Sequence, residues 1–315
     1  MKTTSITRLL LATDFSDEAR RAEEYASALA ASWQIPLSVM TVLEFPPGMN
    51  PDYAVNKQYL TDRMHDASTR LAEFKERIGM RGTVATTRIA RGIPSEEVIA
   101  AAQAEEADLL VVGTRGKSGL AHVLLGSTAE RVIRSAPCPV LAVPTLKDDL
   151  STEESISLKR ILVPTDFSDC SLDALEYAAV VASQSKASVE LLHVLEPVYY
   201  GLDFTFEHAG ERERKRKQIA QVLEDVSADL SKAGILVKTG IRGGIPPDTI
   251  LEYVQTSASD LIIMGTHGRR GLSHLMTGSV TEAVLRRGRC PVLAVRKLPF
   301  RDGVRRAIVS VGQSS

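Results

Sequence analysis

The chain has 315 residues, 44% of them hydrophobic and 24% charged, with 38 Lys and Arg against 39 Asp and Glu for a formal net charge of −1. That length suits about two domains of roughly 150 residues each, and the charge balance excludes the basic excess that marks a nucleic-acid surface. Cys138, Cys170 and Cys290 form no C-x-x-C pair and no zinc spacing with histidine. The opening LLLA run is too short for a signal-peptide core, and no apolar run approaches the ~18 residues of a membrane span. The expectation is a cytoplasmic chain with no metal site and neither nucleic acid nor membrane among its partners.

In chain order, apolar runs at 8–13, 37–43, 84–90, 108–113 and 139–143 read as strands, rich in Val, Ile and Leu and mostly without alternation. Such runs suit strands buried on both faces. Helical patterns lie between them. Ala19, Ala22, Tyr25, Ala26 and Leu29 form an apolar stripe, with Ser16 as candidate N-cap, Asp17 in the first turn and Trp33 near the end as core. Pro94 suits the first turn of a later helix. A polar, Ser-rich stretch, KDDLSTEESISLK, follows at 147–159 and reads as an exposed linker.

The chain then repeats itself. RLLLATDFSD at 8–17 returns as RILVPTDFSD at 160–169, an offset of 152, and the same offset carries CPVLAV at 138–143 onto CPVLAV at 290–295. Strands are expected again at 160–165, 189–195, 235–242, 260–265 and 291–295, with Ser168, Asp169 and Pro246 at the equivalent helix starts. The run ERERKRKQ at 211–218 reads as a solvated helix face. The domains are therefore 1–146 and 160–298, with a tail at 299–315 that reads equally as a loose end or an added arm. Strand–helix alternation implies right-handed crossovers and a parallel sheet: two tandem α/β, Rossmann-like domains.

Gly116-Lys117-Ser118 has the ending of a P-loop, but the glycine that motif needs five residues earlier is Val111. The glycines belong instead to a longer pattern, G-x-x-G-x9-G-S. It comprises Gly113, Gly116, Gly126 and Ser127, and recurs as Gly265, Gly268, Gly278 and Ser279. Parallel sheets take ligands beyond the carboxyl ends of their strands, where strand order reverses. Thr13-Asp14 (Thr165-Asp166) follow the first strand, Arg115 (His267) lies within the glycine loop, and Ser127-Thr128 (Ser279-Val280) open the last helix. Glycines let backbone N–H groups approach phosphate oxygens, and a helix N-terminus adds oriented donors. Arg115, Lys117 and Arg269 add positive charge. Asp14 or Asp166 could accept from ribose hydroxyls.

With the glycine pattern and its upstream TDFSD present twice, the chain resembles a tandem universal stress protein, two UspA-type domains covering roughly 5–145 and 157–297. The resemblance implies two adenine nucleotide alpha hydrolase-like domains, each a five-stranded parallel sheet of order 3-2-1-4-5 flanked by helices. It implies ATP, with Mg²⁺ as an optional companion, as the ligand. Asp14 and Asp166 would contact the nucleoside, the backbones of Val42 and Val194 the adenine edge, and Val112 and Met264 the base. Gly113, Gly116, Gly126 and Ser127, with Gly265, Gly268, Gly278 and Ser279, would take ribose and phosphates. Single-domain relatives dimerise, so a homo-oligomer through the last strand of each domain is a further partner mode.

Plainer readings stand beside these. The glycines could punctuate turns, and Asp14 and Asp166 could shape an Asx-type turn. Cys138 and Cys290 read as inert small hydrophobes, Cys170 as a residue after a turn, His193 as packed, and His122 and His274 as surface histidines. No side chain stands out as catalytic: Glu130 and Glu282 are the only carboxylates matched near the glycine loop, and both suit a helix start. A nucleotide-binding regulator is therefore the first functional reading. A slow ATPase or self-phosphorylating enzyme is the second, and a partner-binding pseudo-dimer that uses nucleotide as stabiliser the third. The repeats differ at Ala12 against Pro164, and at Met40-Thr41 against Leu192-His193.

Overall fold

In the computed structural model, which describes residues 5–44, 53–116, 125–145, 156, 158–196, 209–267 and 278–296, the chain forms two units, Ile6–Ser157 and a second that starts at Leu158. Strand β1 (Leu9–Ala12) is central in the first unit. It pairs in parallel with β2 (Leu37–Leu43) on one side and β4 (Leu109–Gly113) on the other. Beyond these, β3 (Ala85–Arg91) pairs with β2 and β5 (Val140–Val143) with β4, giving the order β3-β2-β1-β4-β5. The expected order is observed. Its direction of travel reverses between β1 and β4, and that opens a crevice at their carboxyl ends.

Four helices connect these strands: α1 (Arg20–Trp33), α2 (Ala54–Gly79), α3 (Pro94–Ala104) and α4 (Ser127–Ser135). Right-handed crossovers put α1 and α2 on one face and, once the order reverses, α3 and α4 on the other. The contacts agree: α1 packs on β1, β4 and β5, α2 on β2 and β3, and α3 on α4. Ala19, Ala22, Tyr25, Ala26, Leu29 and Trp33 are all buried. Leu10, Leu11, Leu109, Leu110 and Val111 are completely buried, as central strands covered on both faces must be.

The second unit repeats this plan with β6 (Arg160–Pro164), α5 (Asp169–Ser185), β7 (Ser188–Leu195), α6 (Ala209–Lys232), β8 (Val237–Gly243), α7 (Pro246–Ser257), β9 (Leu261–Gly265), α8 (Ser279–Arg287) and β10 (Val292–Val295). All its strand pairs are parallel, in the order β8-β7-β6-β9-β10. Even the left-handed backbone positions recur at the offset of 152: Gln34 and Lys186 cap α1 and α5, and Glu106 and Ala258 follow α3 and α7. Pro94 and Pro246 open their helices as expected, and residues 213–218 are exposed.

Two expectations need correction. Full burial fails for β3 and β8, where Thr86, Thr87 and Arg88, or Lys238 and Thr239, are exposed. These strands each pair on one side only within their unit, so less of their surface is covered. The second concerns the start of α1. Ser168 caps α5 by accepting from the N–H of Ser171, but α1 begins at Arg20, and Asp17 lies in the turn before it. Among the described residues, no helix is long and apolar enough to cross a membrane.

Candidate functional site

At the end of β1 the Thr13 N–H still donates to the carbonyl of Met40 at 3.0 Å, and then the chain turns away. Met40 therefore presents its peptide groups towards β1. Alternate residues of a strand point the same way, so the N–H and C=O of Val42 face the space β1 has left. Thr165, Leu192 and Val194 repeat this arrangement, with Thr165 N–H donating to Leu192 at 2.9 Å. Val112 and Met264 lie buried on the neighbouring strands β4 and β9.

The turn after β1 is built by its own side chains. The Asp14 Oδ1 accepts from the Ser16 N–H at 3.0 Å and the Ser16 hydroxyl at 2.6 Å, and Ser16 Oγ accepts from the Ala19 N–H at 3.2 Å. Asp166 and Ser168 reproduce the first two bonds at the same distances. The Asx-type reading of these aspartates is thus observed, and it uses one oxygen of each carboxylate. The turn also carries strain: Phe15 and Phe167 have φ of 54° and 61°, conformations that cost a bulky residue about 1–3 kcal/mol. Their N–H groups donate to Thr13 Oγ1 at 2.9 Å and Thr165 Oγ1 at 3.1 Å, which helps to hold them there.

Across the crevice, the second oxygen of Asp14 lies against the glycine loop. A Cβ at Gly116 would come within 2.7 Å of Asp14 Oδ2. The Gly126 N–H donates to the Thr114 carbonyl at 2.7 Å, and Gly278 does the same to Thr266 at 2.6 Å. These bonds return the chain to the exits of β4 and β9, where α4 and α8 begin. Their first-turn N–H groups have no partner within the helix, and Ser127, Thr128 and Ser279 are exposed beside them, with Val280 half-buried. Gly113, Gly265, Arg115 and His267 complete the described part of each loop, and His267 Nδ1 lies 2.9 Å from Thr266 Oγ1. Gly268, Lys117, Arg269, His122 and His274 lie outside the described residues.

Sequence reading missed the support behind these turns. Glu23 is 6% exposed, and its Oε1 accepts the Thr13 hydroxyl at 2.7 Å. Burial raises the Glu23 carboxyl above its ordinary range, while Thr13 and Arg77 pull in the opposite direction. The available signal was a carboxylate inside the apolar stripe of α1 where the other repeat has Leu175. Cys170 is half-buried in the first turn of α5, and its Sγ lies 3.4 Å from the Val295 carbonyl. Cys138 is buried, and burial pushes its thiol up to about 12, as an inert small hydrophobe requires. His193 is packed, with its ring stacked on Phe167 at 5.0 Å and Nδ1 2.8 Å from the Thr165 carbonyl.

Comparison with known proteins identifies the family of the chain. Residues 5–144 and 157–296 match the model of the Universal stress protein family. A universal stress protein of Methanocaldococcus jannaschii is 33% identical over 140 residues, which cover 44% of this chain and 82% of that protein. One from Mycobacterium tuberculosis is 33% identical over 209 residues, covering 61% of this chain and 63% of the relative. The crystal structure of a universal stress protein from Archaeoglobus fulgidus has a TM-score of 0.68 at 25% identity, covering 91% of this chain and 97% of that one.

Proposed function

This chain belongs to the universal stress protein family, and from that premise we propose that each domain binds ATP in its carboxyl-end crevice and acts as a nucleotide-dependent regulator of the stress response. The observation that carries the proposal is the approach of Gly116 to Asp14. A carboxylate oxygen and a glycine backbone meet where the chain leaves β1 and β4, and α4 opens beside them.

The residues fit a nucleotide in three ways. Ribose hydroxyls would donate to the outer oxygen of Asp14 or Asp166, since the other oxygen is engaged within the turn. The outward peptide groups of Val42 or Val194 offer the donor and acceptor pair that an adenine edge needs, with Val112 or Met264 supplying apolar contact. Phosphates would lie on the backbone N–H groups of the glycine loop and at the start of α4 or α8, where the helix dipole favours negative charge. Mg²⁺, when present, would accompany the phosphates.

Binding without fast turnover is the reading we favour. Glu282, one of two matched carboxylates near the loop, is paired with Arg286 at 2.8 Å along its own helix. That is a structural use, and water activation needs a carboxylate aimed at the γ-phosphate. Calorimetric titration of nucleotide-stripped protein with Mg-ATP tests the proposal. Two sites per chain are expected, with D14A and D166A each removing one. No heat at millimolar ATP would overturn it.

A further inference from the structure

Three side chains on one stripe of α2 reach the turn after β1 or the α1 residue that supports it. Arg70 Nη1 donates to the Phe15 carbonyl at 3.1 Å. The Phe74 ring meets the Phe15 ring edge-on, with centroids 6.4 Å apart. Arg77 Nη2 donates to Glu23 Oε2 at 3.4 Å, and Glu23 Oε1 accepts the Thr13 hydroxyl. Positions 70, 74 and 77 are spaced i, i+4 and i+7, so they share one helix face. The Glu23 side chain is 8% exposed, whereas that of Arg77 is 56% exposed.

The second repeat has other residue types at the equivalent positions. The offset of 152 places Val222, Val226 and Asp229 opposite Arg70, Phe74 and Arg77, and Leu175 opposite Glu23. There the Thr165 hydroxyl lies 3.2 Å from the hydroxyl of Ser171, which stands where the first repeat has Ala19. The same strained turn is thus anchored differently: from a distant helix in the first domain, and within its own helix start in the second.

We propose that Glu23 is a positioning residue of the first site, joining α2 to the turn that carries Asp14, so that the first site depends on α2 and the second does not depend on α6 in this way. The chemistry follows from a single hydroxyl. Thr13 Oγ1 must accept from the Phe15 N–H and can donate only one proton. An acceptor at Glu23 directs that proton away from Phe15 and leaves a lone pair facing it. Without the acceptor, the hydroxyl rotates freely and the left-handed Phe15 loses support. Asp14, the residue between them in the turn, then loses its fixed direction. As a statement about affinity, this rests on the nucleotide reading of the crevice.

The test reads the two sites separately with Mg-ATP, the first in a D166A background and the second in D14A. E23L is expected to weaken the first site about tenfold, the scale of one lost charge-assisted hydrogen bond, and to leave the second unchanged. E23Q retains an acceptor and should recover most of the loss. E23L with A19S, which grafts the second repeat's hydroxyl, should recover part of it. In the ligand-free chain, hydrogen exchange at the Phe15 amide should accelerate in E23L and return towards the original rate in E23Q. Should E23L unfold the first domain, judged by loss of that domain's melting transition, R70A/R77A removes the α2 contacts to Phe15 and Glu23 from the exposed side and should accelerate Phe15 exchange. Unchanged first-site affinity and unchanged Phe15 exchange would overturn the proposal. Failure of the unmodified chain to bind ATP would overturn the nucleotide reading instead, and the exchange measurement would still decide the role of Glu23.

Discussion

Gly116 and Asp14 approach so closely that a methyl group at position 116 would lie 2.7 Å from Asp14 Oδ2. The contact is between loops about a hundred residues apart in sequence, at the carboxyl ends of β1 and β4. G116A should therefore force Asp14 to move. We expect the first site to weaken by about 1–2 kcal/mol, or roughly tenfold, with a smaller fall in stability because the Asp14 side chain can turn aside. Against a D14A background the same substitution should cost less, because the clash is gone. A double-mutant cycle read by calorimetry and denaturant melts checks this non-additivity.

The equivalent glycines Gly113 and Gly265 differ in what surrounds them. A Cβ at 265 would meet the Cys170 carbonyl carbon and oxygen at 2.7 Å, whereas at 113 the nearest atom, the Arg115 oxygen, is 3.1 Å away. Backbone cannot swing aside as a side chain can. G265A should destabilise its domain by about 1–3 kcal/mol and G113A by clearly less. C170A should not rescue G265A, since the clash is with main chain. Urea denaturation of the three variants decides the order.

Glu23 gives a pH dependence of known sign. Its carboxyl is raised chiefly by burial, with Asp14 adding to the rise and Thr13 and Arg77 opposing it. The folded chain therefore binds this proton more tightly than the unfolded chain. The stabilising contribution is complete below the ordinary carboxylate range and is lost as pH rises through the higher folded value. E23Q lacks this dependence. Its stability relative to the unmodified chain should increase as pH rises through that window and then level off, measured by melts between pH 4 and 8 (a range of about that width suffices). A difference that is flat with pH would contradict the burial argument.

Ser168 caps α5 through the Ser171 N–H. S168A should cost about 1 kcal/mol, and it also removes the hydroxyl that donates to Asp166 at 2.6 Å. The second site should weaken along with the helix while the first remains unchanged. Thermal melts and site-resolved titration measure the two effects.

Much of this molecule is written locally. Strand runs, helix stripes, the Pro94 and Pro246 starts and the repeat at 152 residues all depend on neighbours within a few positions, and the sheet order then follows from handedness and the family resemblance. The exposed edges of β3 and β8 were not legible, because exposure depends on how many neighbours a strand has in the sheet. The later start of α1 escapes the local pattern for a related reason. TDFSD is the same in both repeats, but the residues after it are not, with Glu18 and Ala19 in the first repeat and Cys170 and Ser171 in the second.

By itself, then, the sequence determined two copies of one parallel α/β domain and the residues that gather at the carboxyl ends of their central strands. Hydrophobic period and glycine spacing are short-range properties, and short-range properties survive in a linear string. Only the tertiary structure decided that Glu23 supports Thr13, that Arg70 reaches back to Phe15 and Arg77 to Glu23, and that Gly265 lies against the backbone of Cys170. Those contacts join residues from 10 to 95 positions apart. They depend on where one element packs against another, and no local period of the chain encodes that distance.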